Sequence, residues 1–285
     1  MVAKGGYIKS PLNYVGGKFK LLPQIFPLLP DNIGTFVDLF AGGGDVFINV
    51  CAERIIANDI NHYIIDLFRA FKKYDVPELI DYIEHTIDLW GLSPTNEAAY
   101  KQFREYYNEN KNPVDLYVLV CHSFNYQFRF NSAHEYNNPF GRNRSWFNPS
   151  LKNNLILFAQ RLPDIEFRAD NFKKFDFSML GADDLVYADP PYLITTGSYN
   201  DGKRGFEGWS EKEEIALYDK LDELNRRNIR FALSNVVEHK GRVNTLLEEW
   251  RAAYNTHFLS KNYSNSSYHS KNTDKSTIEV LITNY

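Results

Sequence analysis

"TFVDLFAGGGDVFINVCAERIIANDIN", residues 35–61, decides the fold. Residues 35–40 are a strand-length apolar run interrupted by one acid, Asp38. Gly42, Gly43 and Gly44 follow, and the apolar stretch 46–53 then reads as the start of a helix. A second strand, 54–58, ends at Asp59, and "HYIIDLFRAFKKY" (62–74) carries apolar residues at helical spacing. Strand, helix, strand, helix in this order opens a doubly wound, mostly parallel α/β sheet.

A glycine turn between strand and helix lets the backbone come close to a ligand and aim N–H groups at it. A dinucleotide fingerprint would need a glycine at position 47, where this chain has Phe47, so a nicotinamide cofactor loses support. Asp59, at the end of the second strand, suits a ribose diol.

Outward from this core, the α/β pattern lapses and later resumes. We expect a catalytic unit made of residues 1–75 and 163–285, split by an insertion over 76–162. The insertion holds charged and apolar helical stretches ("NEAAYKQFREYYNENK", "PVDLYVLVCHSF") and then the Asn- and aromatic-rich "NYQFRFNSAHEYNNPFGRNRSWFNP". Strands are expected again at "IEFRADNF", "DLVYADPPY", "IRFALSNV" and "TIEVLITNY".

The run 184–192, "DLVYADPPY", begins as a buried strand and ends in an acid, two prolines and a tyrosine. Proline lacks a backbone donor and fixes φ, so the strand stops there. At the ligand edge of a parallel sheet, the Asp189 carboxylate and the Pro190 carbonyl are two acceptors, which is what holding an exocyclic amine requires. Tyr192 offers a face for stacking.

These motifs together resemble the S-adenosylmethionine-dependent amino-methyltransferases that act on DNA. Their order, glycine turn, insertion, then Asp-Pro-Pro-Tyr, is similar to the Dam/D12 class, the alpha group of adenine-N6 enzymes. "NYVGGKFKLLPQI" (13–25) resembles that class's aromatic-x-GGK segment, "NYQFRFNSAHEYNNPFGR" its DNA-recognition hairpin, and "EVLITNY" its last strand. The resemblance implies a seven-stranded sheet with a mainly helical, hairpin-bearing recognition insertion. It implies that S-adenosylmethionine is bound by Tyr14, Gly16, Gly17, Lys18, Asp38, Phe40, Ala41, Gly42, Gly43, Gly44, Asp59, Asp170, Asn171 and Asp189, with no metal. It also implies that Asp189, Pro190, Pro191 and Tyr192 clamp a flipped-out adenine, with "LSN" (233–235) behind it.

The DNA-facing set implied by the resemblance and by the window's composition is Asn13, Asn125, Tyr126, Gln127, Arg129, Asn131, Asn138, Pro139, Arg142 and Arg144. Between Cys121 and Leu155 four basic residues face one acid, although the chain as a whole carries −4. That window also holds eight aromatics and eight asparagines, residue types suited to phosphates, guanine edges and adenine edges. Arg129 matches the guanine-reading arginine of GATC-specific members. Asn13 stands where those members carry lysine, and Tyr126-Gln127 where they carry Gly-Leu. Phe124, Tyr126 and Phe128 are candidates to fill the gap left by the base. The loop 261–277 carries three lysines against one aspartate and is expected to be mobile or to close over phosphates.

Two cysteines, Cys51 and Cys121, are too few for a disulfide framework or a zinc site, and neither follows a proline as cytosine-C5 chemistry requires. No apolar run reaches membrane-spanning length. The expected setting is the cytoplasm, with double-stranded DNA as partner and a separately encoded restriction endonuclease as a second one. Cytosine-N4 methylation and a catalytically inactive DNA-binding relative are the alternatives.

Overall fold

The computed structural model describes residues 6–195, 208–260 and 277–285. Five parallel strands carry the sheet: β1 (Thr35–Asp38), β2 (Arg54–Asn58), β3 (Ile165–Arg168), β4 (Leu185–Ala188) and β5 (Arg230–His239). Two further strands, β7 (Asn255–Leu259) and β8 (Thr277–Thr283), complete the order β3-β2-β1-β4-β5-β8-β7, with β8 antiparallel to both neighbours. The seven-stranded expectation holds for this path. A two-residue strand, β6 (Arg242–Val243), adds an eighth as a hairpin on β5. All four residues of β4 are buried, as a strand with both faces covered requires.

The order reverses between β1 and β4, which places the ends of Asp38 and Ala188 beside the switch-point crevice where such sheets bind ligands. One face is covered by α7 (Glu211–Arg226) and α8 (Thr245–Arg251). The short α1 (Leu22–Ile25), α2 (His62–Lys73) and the helices of the segment 76–162 lie on the other. Those helices are α3 (Val76–Trp90), α4 (Glu97–Asn110), α5 (Pro113–His122) and α6 (Pro149–Ala159). Every residue of α5 except its leading proline is buried, and one apolar cluster runs from Phe36 and Phe68 into Ile83, Phe103 and Tyr117 without a break. Among the described residues no helix is long and apolar enough to cross a membrane.

Two local expectations fail for physical reasons. The helix expected from 46 is a string of turns. Asn49 Nδ2 takes the Asp45 carbonyl that a helix would offer to its own N–H, while Asn49 N turns to Val46 O, so side chain competes with ladder. The expected recognition hairpin is not a regular ladder either, and two isolated bridges, Ser123↔Phe140 and Phe130↔Tyr136, pin it. Side-chain amides take the backbone partners instead: Asn138 Nδ2 donates to the Phe124 and Gln127 carbonyls, and Asn108 bonds both N and O of Tyr136. The loop expected over 261–277 and the continuation of "LITTGSYN" beyond Thr195 fall almost entirely outside the described residues.

Candidate active site and nucleic-acid face

A cavity of about 420 Å³ opens at the switch point. It is lined by 14–18, 38–46, 59–61, 170–172, Tyr187 and 189–192, with Phe128 and Phe130 from the segment 76–162. The sequence-expected cofactor and catalytic residues therefore converge. Among the described residues six carboxylates line it (Asp38, Asp45, Asp59, Asp170, Asp189, Glu213) against one amine, Lys18.

Asp38 ends β1 and is 1% exposed. Its Oδ2 accepts from Phe47 N at 3.2 Å, and its Oδ1 has no hydrogen-bond partner. Burial, and next the charge of Asp189, hold its proton affinity well above the usual carboxylate range. A buried acceptor without a donor is costly, so this oxygen suits a donor-bearing ligand. The sign of the linkage is testable. The folded state holds this proton more tightly than the unfolded one, so its contribution is full below the ordinary carboxylate pKa and is lost as pH rises through the raised value. Thermal melts from pH 5 to 8 should fall with pH in the wild type and be flatter in Asp38→Asn. Parallel curves would show that Asp38 does not titrate in this range.

Asp59 accepts from Gly42 N and Asn61 N, both at 2.8 Å, which fixes the carboxylate between the glycine turn and α2. The capping role falls to Asn61, whose side chain accepts from Tyr63 N. Asp170 is held by Asn58, a residue the sequence reading passed over. Buried at the end of β2, Asn58 bonds Leu39 O, Asp170 O and Asp170 N, so one amide ties three cavity edges together. Asn171 accepts from Lys173 N and caps a short 3-10 turn.

The glycine turn serves the protein as much as a ligand. A Cβ on Gly43 would lie 2.7 Å from the Tyr14 Cβ, so the segment 14–18 packs directly on the turn. Gly44 has φ +89°, and its empty side meets Phe47 and Phe158. Asp45, which was not singled out in the sequence, accepts from Ser10 N and Phe19 N and fastens the N-terminal segment there.

Lys18 lines the cavity with Tyr14, Gly16 and Gly17 and turns its ammonium to Asp189. It is 4% exposed, and its Nζ lies 2.8 Å from Asp189 Oδ2, donates to Gly16 O at 3.0 Å, and sits 4.9 Å from the Tyr192 ring centroid. Tyr192 OH donates to Asp189 Oδ1 at 2.9 Å. The expected open stacking face of Tyr192 is therefore covered by an ammonium, and both oxygens of Asp189 already accept. Burial pushes the Asp189 proton affinity up, and the adjacent Lys18 opposes it. Of the "LSN" wall, Ser234 Oγ pairs with Tyr187 OH and Asn235 with Glu214, and neither lines the cavity.

On the recognition segment the residues separate by exposure. Asn125, Arg129, Pro139, Arg142 and Arg144 are exposed, and Arg129 has no ion-pair partner among the described residues. Asn13 Nδ2 donates to Asn125 O at 2.8 Å, joining the two stretches expected to face DNA. Arg142 pairs with Glu97. Asn138 is buried and Asn131 is saturated by Ala133 N, Glu135 N and the Glu135 carboxylate, so both build the loop rather than face outward. Gln127 offers its carbonyl to Tyr136 OH, and Tyr126 OH donates to Arg144 O. Phe124 is 40% exposed with the Arg144 guanidinium 5.3 Å from its ring, beside a left-handed pair, Asn125 and Tyr126.

Residues 14–277 match the profile of the D12 class N6 adenine-specific DNA methyltransferases. The chain is 58% identical over 281 residues to the Type II methyltransferase M.FokI of Planomicrobium okeanokoites, covering 98% of this chain and 43% of that one. It is 56% identical over 283 residues to the modification methylase StsI of Streptococcus sanguinis, again 98% and 43%. With the DNA adenine methylase of Escherichia coli (strain K12) it shares 29% over 230 residues, 79% of each chain. The chain thus spans about two fifths of the length of the first two relatives.

Proposed function

This chain belongs to the D12 class of N6 adenine-specific DNA methyltransferases, and from that membership we propose that its cavity transfers a methyl group from S-adenosylmethionine to N6 of an adenine flipped out of duplex DNA. The observation that carries this reading is the arrival of Asp189 and Tyr192, the glycine turn and Asp59 in one acidic cavity at the switch point. An acidic lining and the orphaned Asp38 oxygen suit a ligand that bears an ammonium and a sulfonium. When bound, S-adenosylmethionine supplies an electrophilic methyl group. Asp38 receives its amino-acid end, Asp59 its ribose, and Asp170 with Asn171 and Phe172 its adenine.

The chain's own residues prepare the target amine. Asp189 and the Pro190 carbonyl accept from N6–H₂, which keeps the nitrogen lone pair out of the ring and aims it at the methyl carbon. Before a base enters, the Lys18 ammonium occupies that acceptor and the Tyr192 face. It opposes the burial that raises the Asp189 proton affinity, and it yields the place to the base. No covalent intermediate is required.

Outside the cavity, Phe124 is the residue placed to fill the gap left by the base: it is the most exposed of the three candidates, whereas Phe128 lines the cavity and Tyr126 is tied to Arg144. Arg129 reads a base edge. Arg129→Ala should weaken discrimination at one base pair by about 1–3 kcal/mol, read as relative kcat/KM on singly substituted duplexes. A uniform loss on every duplex would make it a phosphate contact instead. Double-stranded DNA in the cytoplasm is the substrate, and a separately encoded restriction endonuclease of the same sequence is the partner.

The deciding experiment is nucleoside analysis of duplex DNA treated with the protein and S-adenosylmethionine. N6-methyladenine is the expected product, and N4-methylcytosine or no product would overturn the reading.

A further inference from the structure

Glu214 lies in the first turn of α7, is fully buried, and takes no part in holding the target amine. Buried carboxylates are rare unless every lone pair is used. Its Oε1 accepts from Tyr218 OH at 2.6 Å, Asn235 Nδ2 at 2.9 Å and Asn244 Nδ2 at 3.2 Å. Among the described residues its Oε2 accepts from one donor, the Trp209 indole Nε1, at 2.6 Å.

Trp209 is half-buried, lines the cavity, and forms a three-ring cluster. Its ring centroid lies 5.6 Å from Phe40 and 5.6 Å from Phe172, which are themselves 5.4 Å apart. Phe40 lies two residues past the end of β1 and Phe172 follows Asp170 and Asn171, so the cluster stands at the adenine end assigned above. A salt bridge from Lys173 to Glu213, 2.9 Å, closes the same corner.

We infer that Trp209 is a cofactor-binding residue that walls the purine of the methyl donor together with Phe40 and Phe172, and that Glu214 is the positioning residue that fixes its indole there. The inference rests on the cofactor reading proposed above. Its physical basis is the division of labour on the carboxylate. Three donors share Oε1, Tyr218 from α7 itself, Asn235 from β5 and Asn244 from the cap of α8, while among the described residues Oε2 takes the indole alone.

That division makes Glu214→Gln a selective probe. The amide oxygen replaces Oε1 and keeps the three structural donors, while the amide nitrogen faces the indole N–H, donor against donor. Trp209→Phe removes the indole N–H and keeps an aromatic wall.

The test is calorimetric binding of S-adenosylhomocysteine, with donor KM and kcat measured in parallel. Trp209→Ala should raise Kd about tenfold, with the loss in donor KM larger than that in kcat. Glu214→Gln should raise Kd several-fold with a melting temperature near wild type. The double variant Trp209→Phe/Glu214→Gln should bind more tightly than Glu214→Gln alone, a non-additivity that a purely structural carboxylate does not produce. If the wild type binds and Trp209→Ala binds equally well, or the double variant loses the sum of the single losses, this inference is overturned. If the wild type binds no S-adenosylhomocysteine, the cofactor reading itself fails.

Discussion

Asp189→Ala is expected to lower kcat for methyl transfer by about a thousandfold, the scale on which a single preorganised charge-stabilising group acts. Its carboxylate is the acceptor proposed to hold the amine, and it is the one acidic side chain among the described residues at the end of β4. Affinity for S-adenosylhomocysteine should stay close to wild type, because Asp38 and Asp59 are untouched. The substitution also leaves the buried Lys18 without its ion-pair partner, a loss that costs stability. Melting curves should accompany the kinetics, and Asp189→Asn, which retains one acceptor oxygen, should lose less of both. Near-native rates in folded Asp189→Ala would remove the carboxylate from the mechanism.

Lys18→Met should have the second-largest effect, and it should appear as a shifted pH profile. Methionine preserves the apolar stem but removes the ammonium 2.8 Å from Asp189. Burial already raises the proton affinity of Asp189, and Lys18 is the first-ranked influence opposing it. Without Lys18 the carboxylate binds its proton more tightly still. A smaller ionised fraction remains at neutral pH, so the acid limb of the rate profile moves to higher pH. Rates at pH 7 should fall by roughly ten- to a hundredfold, and part of the loss should return as the medium is made alkaline. A profile that superimposes on the wild type after scaling would show that Lys18 acts on something other than the ionisation of Asp189.

The sequence was most legible where burial is uniform. β1 and β4 announce themselves as short apolar runs closed by an acid, and the long helices α2, α3 and α4 by their apolar spacing. It was least legible where a side chain overrides local preference. Asn49 captures a helix carbonyl and Asn138 replaces a strand partner, and neither event follows from propensity. β7, "NTHFL", is an edge strand with mixed polarity and so lacks an alternating signature. The motif positions converge on one cavity, whereas pairings between distant segments were not legible. Nothing in "GGKF" says that Lys18 ends on Asp189 rather than on a ligand. Nor does Glu214, one acid among three in the first turn of α7, look different from a surface charge favoured by the helix dipole. Only the fold reveals that it faces inward.

The unbroken apolar cluster that joins the sheet to helices α3–α6 has an evolutionary consequence. A recognition unit on its own core could be exchanged between enzymes like a cartridge. Here the helices of the segment 76–162 also complete the interior beneath β1 and β2, so cutting at either boundary would open that interior. If the proposed DNA contacts hold, changes of sequence preference that spare this core are expected as point changes at exposed positions such as Arg129 and Arg144. Chimeras that trade the segment 76–162 between relatives should fail by misfolding before they fail by misreading.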